Sequence, residues 1–242
     1  MKKPSNIDIA IVTIHKGDIE ELFKTIISVD SQIKKPIKHI IIARDLNYKK
    51  INIKKKYRTF VIGKDTSIYN AMNIGLEKTK KNFLLFLNSG DIFYNKLSLQ
   101  LICKTILPNK CNIFKTYLQY EKNLFVPKKK TFNNLYYNPH PSFVRPPEKK
   151  NLIFYEENFK IISDGIWMKK NICKFGSIKH NKVISIHSLG GVSTKPNVQI
   201  ISESLKISFN KFLKELLKLI LFLVLGKKNY FNFIIRFNFE KK

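Results

Sequence analysis

Ile7 to Thr13 is an almost unbroken apolar run, with Ile7, Ile9, Ala10, Ile11 and Val12 interrupted only by Asp8. A run without polar alternation predicts a parallel strand covered on both faces. It gives way at Ile14, His15, Lys16 and Gly17, a loop expected to face a ligand crevice. Asp18 then stands in a capping position, and Ile19, Leu22, Ile26 and Val29 form one stripe of a helix ending near Gln32. Pro36 breaks the chain before a second strand, Ile37 to Ile42, and Thr59 to Ile62 predicts a third. Behind Ser67, a ready cap, Ile68, Ala71, Met72, Gly75 and Leu76 recur at helical spacing. That helix delivers the chain into a short apolar run, Asn82 to Leu87, with its strand at Phe83 to Leu87 and an abrupt stop at Asn88, Ser89, Gly90 and Asp91. The order of elements predicts a nucleotide-binding α/β arrangement. A carboxylate just past the carboxyl end of a central strand lies where open α/β sheets hold their ligands.

The second half is less regular. Leu97 to Leu107 predicts a helix closed by Pro108, and Ile113 to Tyr120 a strand, followed by a basic loop at Lys128, Lys129 and Lys130. His140 sits between two prolines in NPHPSFVR, Asn138 to Arg145, which holds the backbone extended or turned. In YEENFKIISDGIWMK, Tyr155 to Lys169, Asp164 follows an apolar segment and is placed to cap a helix beginning at Gly165. Ile184 and Ile186 bracket a strand in ISIHSLGGVS, whose Gly190 and Gly191 give a loop that a ligand can approach closely. From Leu205 to Leu225 the texture changes: Lys211, Lys214 and Lys218 share one helical face, while Phe212, Leu213, Leu216, Leu217, Leu219 and Ile220 crowd the rest. The apolar run Leu219 to Leu225 is too short to cross a bilayer, which takes about 20 residues.

Composition adds bounds. At 242 residues with 44% apolar content, the chain can bury a core and is expected to form one domain, residues 1–200, with a basic amphipathic tail, residues 201–242. The net charge of +28 comes from 45 Lys and Arg against 17 Asp and Glu. The joint abundance of Lys, Ile and Asn is what biased genome composition produces, yet the resulting field still attracts phosphates, nucleic acid or an anionic bilayer. Cys103, Cys111 and Cys173 show no metal-ligand spacing and read as reduced thiols in a cytosolic protein; no export signal opens the sequence. The chain lacks GxGxxG and GxxxxGK[ST], which weighs against dehydrogenase and phosphate-loop ATPase readings.

SIYNAMNIG, from Ser67, followed by FLNSGD, ending at Asp91, resembles the inverting nucleotide-sugar glycosyltransferases of family 2, in particular their bacterial surface-polysaccharide branch. NPHPSFVR and the Tyr155 to Lys169 segment resemble further segments of the same family. The resemblance implies a GT-A type α/β domain with a mostly parallel central sheet and a C-terminal helical tail. It implies a sugar moved from a nucleotide diphosphate donor to a saccharide hydroxyl, on a lipid-linked surface glycan.

Roles follow from the resemblance, residue by residue. Asp91 is the expected ligand of Mn2+ or Mg2+, with His187 a second ligand, because a hard cation held by a carboxylate neutralises a leaving pyrophosphate. The matching family acid makes Asp164 the general base, which takes the acceptor hydroxyl's proton as that oxygen attacks the anomeric carbon. Donor contacts are expected from Thr13, His15, Asp45, Asp65, Tyr69, Asn70, Asn73, Asn88, Ser89 and Gly90, and His140 is expected to touch donor or acceptor. The family's second strand commonly ends in an Asp where this chain has Ala43, Arg44 and Asp45, so Asp45 is expected to replace that carboxylate from a shifted loop. Plainer readings stand beside these: Asp65 as a turn or cap residue, Asn88 to Asp91 as a surface turn, His140 as a solvent-exposed turn residue and Asp164 as a cap.

From Lys206 onward, nine Lys or Arg stand against two Asp or Glu. That surplus favours an anionic membrane surface or nucleic acid over neutral surroundings, and the lipid-linked acceptor that the resemblance implies favours peripheral attachment at the inner face of the cytoplasmic membrane, the alternatives being a face that covers the domain or a homodimer seam. Two rival functions are a noncatalytic nucleic-acid-binding protein and a degenerate transferase acting as a structural partner in glycan assembly. The absence of an RNP, KH or helix-turn-helix signature means that no nucleic acid is expected.

Overall fold

The computed structural model describes residues 7–45, 55–129, 139–188 and 196–241. Lys130, Asn138 and the expected glycine loop at Gly190 and Gly191 lie outside the described residues. Strands β1 (Ile9–His15), β2 (Lys38–Ala43), β3 (Arg58–Ile62) and β4 (Phe83–Phe86) run parallel in the order β3-β2-β1-β4. Every residue of β1 is buried, as its continuous apolar pattern requires. Successive residues serve opposite faces. Val12 and Ile14, with Ile40 and Ile42, pack toward α2 (Ile68–Thr79) and α4 (Ser163–Phe175). Ile9 and Ile11, with Phe83 and Leu85, pack toward Val29 of α1 (Ile19–Asp30) and toward Leu99 and Ile102 of α3 (Ser98–Thr105).

The helices begin where their caps predict. Asp18 Oδ1 accepts the Glu20 N–H at 2.9 Å and Ser67 Oγ the Asn70 N–H at 3.1 Å, each satisfying a donor that the first turn leaves open. On α2 the buried face starts at Tyr69, not at Ile68, which is 47% exposed; Tyr69, Met72 and Leu76 carry the stripe. Gly75 lies so close to β1 that a Cβ there would meet Val12 Cγ1 at 2.6 Å. The helix can therefore seat directly on the strand.

Beyond β4 the sheet continues antiparallel through β8 (Phe143–Arg145), β6 (Cys111–Tyr120), β7 (Asn123–Pro127) and β10 (Phe239–Lys241). Strand β9 (Ser177–Ser188) runs parallel to β6, and its far end pairs antiparallel with β5 (Ile92–Phe93). Between the pairs Cys111↔Ser177 and Gln119↔Ser188, register shifts give β9 three residues more than β6. The molecule is a mixed α/β fold around a largely parallel centre, with a helical C-terminal part.

That part holds α5 (Val198–Leu205), capped by Asn197, and α6 (Phe209–Asn238), capped by Ser208 and interrupted at Gly226, whose φ of 71° breaks the helical run. Ile235 and Phe239 pack on Leu118 of β6, and Tyr120 lies against Phe231. No helix among the described residues is long and apolar enough to cross a membrane.

Candidate functional site

The carboxyl ends of β1 and β4 form the floor of the site. Thr13, expected to contact a donor, is fully buried instead: its hydroxyl donates to the Leu87 carbonyl at 2.7 Å and lies 3.0 Å from His39 Nε2. Arg58 Nε donates to His39 Nδ1 at 3.2 Å, so the imidazole carries its proton on Nε2 and donates it to Thr13. Desolvation, reinforced by the Arg58 charge, holds the His39 pKa down at about 3. His15 ends β1 with Nδ1 3.0 Å from Ser89 Oγ; burial lowers its pKa against the pull of Asp18.

Gly90 turns the chain after β4 with φ at 95°. Its N–H lies 3.1 Å from the Glu21 carbonyl and 3.0 Å from Thr25 Oγ1, and a Cβ there would stand 2.7 Å from Glu21 Oε2. Thr25 also donates to the Asp91 carbonyl at 2.8 Å, so α1 braces the whole Asn88 to Asp91 turn. Sequence reasoning passed over Thr25. Its signal was a polar residue inside the stripe that Leu22, Ile26 and Val29 make.

Asp91 is buried, and its Oδ1 lies 2.6 Å from Nδ1 of His187. The pairing of Ile92 with Ile186 brings these two residues, remote in sequence, to neighbouring positions. Burial alone would lower the His187 pKa, but the Asp91 charge and hydrogen bond, joined by Asp164, raise it above the ordinary value. His140 opens a 3-10 turn, His140–Ser142, beneath this pair. Its Nε2 is 3.0 Å from the Tyr155 hydroxyl and its ring packs against Phe86 and Trp167. Desolvation lowers its pKa despite Asp164 and Asp91, which leaves a neutral imidazole at neutral pH. Asp164 lies in the first turn of α4, whose N-cap is Ile162; it is not the cap, and its Oδ1 accepts the Gly165 N–H at 2.7 Å. Its charge is felt at His140, His187, Tyr69 and Tyr155. Asp91 and His187 are thus in direct contact, as are His15 and Ser89, while His140 and Asp164 lie within electrostatic reach of the first pair.

Three expected donor contacts are engaged elsewhere. Asn73 embraces the Tyr155 backbone, Oδ1 accepting its N–H at 2.8 Å and Nδ2 donating to its carbonyl at 3.1 Å. Asn70 and Asn73 both donate to Glu157, and the Tyr69 hydroxyl accepts the Ser163 N–H at 3.1 Å. These polar groups brace the Tyr155 to Asp164 segment. Their chemistry is that of a ligand contact; the partner became visible only in the fold. Asp45 is exposed just past the end of β2. Arg44 reaches from the end of β2 to the Asp65 carbonyl at 3.0 Å. Asp65 Oδ1 and Asn88 Oδ1 are buried acceptors without a hydrogen-bond partner among the described residues, which is costly unless a donor arrives from outside the chain.

A groove of about 560 Å³ opens beside Gly90, Ile92 and Ser188 toward α1, and another of about 600 Å³ lies between α2 and Phe154 to Glu157. Among the described residues no three His, Cys, Asp or Glu side chains gather as a closed metal cage. Asp91 with His187 offers one carboxylate and one imidazole. This donor set suits a divalent cation whose remaining positions are filled by phosphate oxygens.

No protein-family model matches the chain, and no curated protein sequence matches it. Solved structures do. S. aureus TarS 1-349 in complex with UDP-GlcNAc superposes with a TM-score of 0.64 at 14% identity, over 83% of this chain and 66% of that one. S. aureus TarS 1-349 alone gives 0.59 at 14% identity, over 75% and 60%. The mannosyltransferase PcManGT from Pyrobaculum calidifontis, in complex with GDP-Man and Mn2+, gives 0.57 at 8% identity, over 85% and 63%. The chain spans 60–66% of the length of these three. Its fold is shared with TarS and with the mannosyltransferase PcManGT.

Proposed function

We propose that the chain is a nucleotide-sugar glycosyltransferase of the inverting family 2 type, acting on a saccharide hydroxyl of a lipid-linked surface glycan. The observation that carries the reading is the Asp91–His187 pair just past the carboxyl end of β4, with the Asp164 charge within electrostatic reach of it. The UDP-GlcNAc bound by TarS and the GDP-Man and Mn2+ bound by PcManGT support a diphosphate donor and a divalent cation here too. The Asp65 and Asn88 acceptors left without partners suit donor hydroxyl or base N–H groups, and His15, Asp45, Ser89 and Gly90 are further donor contacts in this reading. The resemblance also supports a catalytic unit over residues 1–200 and a tail from 201.

Chemically, the acceptor oxygen attacks the anomeric carbon as the bond from that carbon to the diphosphate breaks. The electron pair leaves with the nucleoside diphosphate, and the hydroxyl proton passes to the Asp164 carboxylate. One displacement inverts the configuration. Asp91 and His187 would hold Mn2+ or Mg2+, which offsets the charge growing on the diphosphate. Buried His140, hydrogen-bonded to the Tyr155 hydroxyl, adds no charge to the floor within electrostatic reach of the two acids.

Titration with UDP, GDP and their sugar conjugates, with and without Mn2+, tests the reading. Saturable, metal-assisted binding of one conjugate is expected. In Asp164→Asn that binding persists while transfer, or hydrolysis with water as acceptor, falls by about 10²- to 10⁴-fold. A folded protein that binds none of the panel, or an Asp164→Asn variant of normal rate, would refute it.

A further inference from the structure

The buried face of α5 carries Ile200, Ile201, Ser204 and, out of keeping with them, Glu203, which is only 1% exposed. A carboxylate in such a place is tolerated only if its oxygens are fully hydrogen-bonded. They are. Oε1 accepts the Lys160 N–H at 2.7 Å and the Gln199 side-chain amide at 2.6 Å. Oε2 accepts the Ile161 N–H at 3.1 Å and the Ile162 N–H at 3.2 Å.

These three backbone donors run directly into α4. Its N-cap, Ile162, offers no side-chain cap, and of the three only the Ile162 N–H is among the donors that the first turn leaves open. Glu203 therefore anchors the segment leading into the helix from another element, remote in sequence. One residue further, the Ser163 N–H is held by Tyr69 of α2, and Ser163 Oγ accepts the Glu156 N–H at 2.7 Å. The next residue is Asp164. Lys211, on the first turn of α6, also lies within electrostatic reach of the Asp164 and Glu203 carboxylates.

We infer that Glu203 is a positioning residue for Asp164: by gripping the Lys160, Ile161 and Ile162 amides it fixes the start of α4 and thereby the place of the proposed base. The inference rests on the transferase reading and assigns Glu203, beyond the proposed boundary at residue 200, to the positioning of the base. A base displaced by about 1 Å loses on the order of a hundredfold in rate while ground-state contacts elsewhere survive. The effect belongs in turnover, not in donor affinity.

The test compares wild type with Glu203→Ala and Glu203→Gln in Mn2+-dependent hydrolysis of whichever of UDP-GlcNAc or GDP-mannose the wild type accepts. Glu203→Ala is expected to lower kcat by about tenfold to a hundredfold with KM for the donor changed by less than about twofold. Glu203→Gln keeps one acceptor oxygen and recovers part of the loss. Amide exchange at Lys160, Ile161 and Ile162 is expected to quicken in both variants, and it can be read even if Glu203→Ala folds poorly, because the glutamine variant preserves shape. Wild-type kcat in a folded variant, unchanged exchange, or a kcat loss matched by an equal loss of donor binding would overturn the inference. A wild-type chain that hydrolyses neither donor and binds neither would overturn the transferase reading instead, while the exchange rates still decide whether Glu203 holds the segment.

Discussion

His39 shows how completely one side chain can be fixed by its neighbours. Arg58 Nε donates to one ring nitrogen, the other donates to Thr13, and Arg58 is itself paired with Asp30. A folded-state pKa of about 3 against an ordinary 6.5 means that the unfolded chain takes up a proton the native chain refuses. Stability is therefore intact above about pH 6.5 and lost as pH falls toward 3, with a slope approaching ~1.4 kcal/mol per pH unit. Glutamine supplies the same acceptor and donor without titrating. His39→Gln is expected to remove about one proton from that slope in urea midpoints measured from pH 7 to 4; an unchanged slope would show that His39 does not titrate on unfolding. The place of Asp91 past the end of β4 was legible in the sequence because an apolar run stops just before it, whereas Asp164 proved to lie inside the first turn of α4 and not at its cap. Thr13, Tyr69, Asn70 and Asn73 were not legible, since a polar group on a ligand-facing motif looks the same whether its partner is a substrate or the chain itself.

Among the elements, α2 depends most on a single small residue. Gly75→Ala adds a Cβ that must displace Val12 Cγ1, backed by the fully buried β1. Such overpacking costs about 1–3 kcal/mol, of which better helix propensity returns at most about 1. Chemical denaturation is expected to show net destabilisation, and Val12→Ala in the same chain should make the pair less costly than the two changes added. Additive effects would mean that the two side chains do not compete for the space. The parallel strands and first two helices were readable because period and caps are local signals. The pairing of β5 with β9 was not, because two residues carry no period, and the β6–β9 register is settled by partners that lie far apart in sequence.

At the scale of the whole molecule, the tail both closes the sheet and faces outward. Tyr230, Phe231 and Ile235 are buried, whereas Phe209, Leu213, Leu217, Ile220 and Val224 recur at helical spacing and are exposed. With Lys211, Lys214 and Lys218 on the same helix, this face suits an anionic bilayer surface. Sedimentation with anionic vesicles is expected, weakened by salt, and joint Leu213→Glu and Leu217→Glu should lower the partition at least about tenfold. Quantitative recovery of the protein in the supernatant would exclude that attachment. The surplus residues of β9 have a different consequence. His187 reaches Asp91 only because the register shifts leave Ile186 opposite Ile92. A one-residue insertion or deletion before that point would turn the imidazole to the other side of the sheet. Away from His187 and the buried Ile184 and Ser185, amino-acid identity along β9 can drift while its length cannot, so descent among chains of this kind should be traced by residue count in this strand even where similarity has faded.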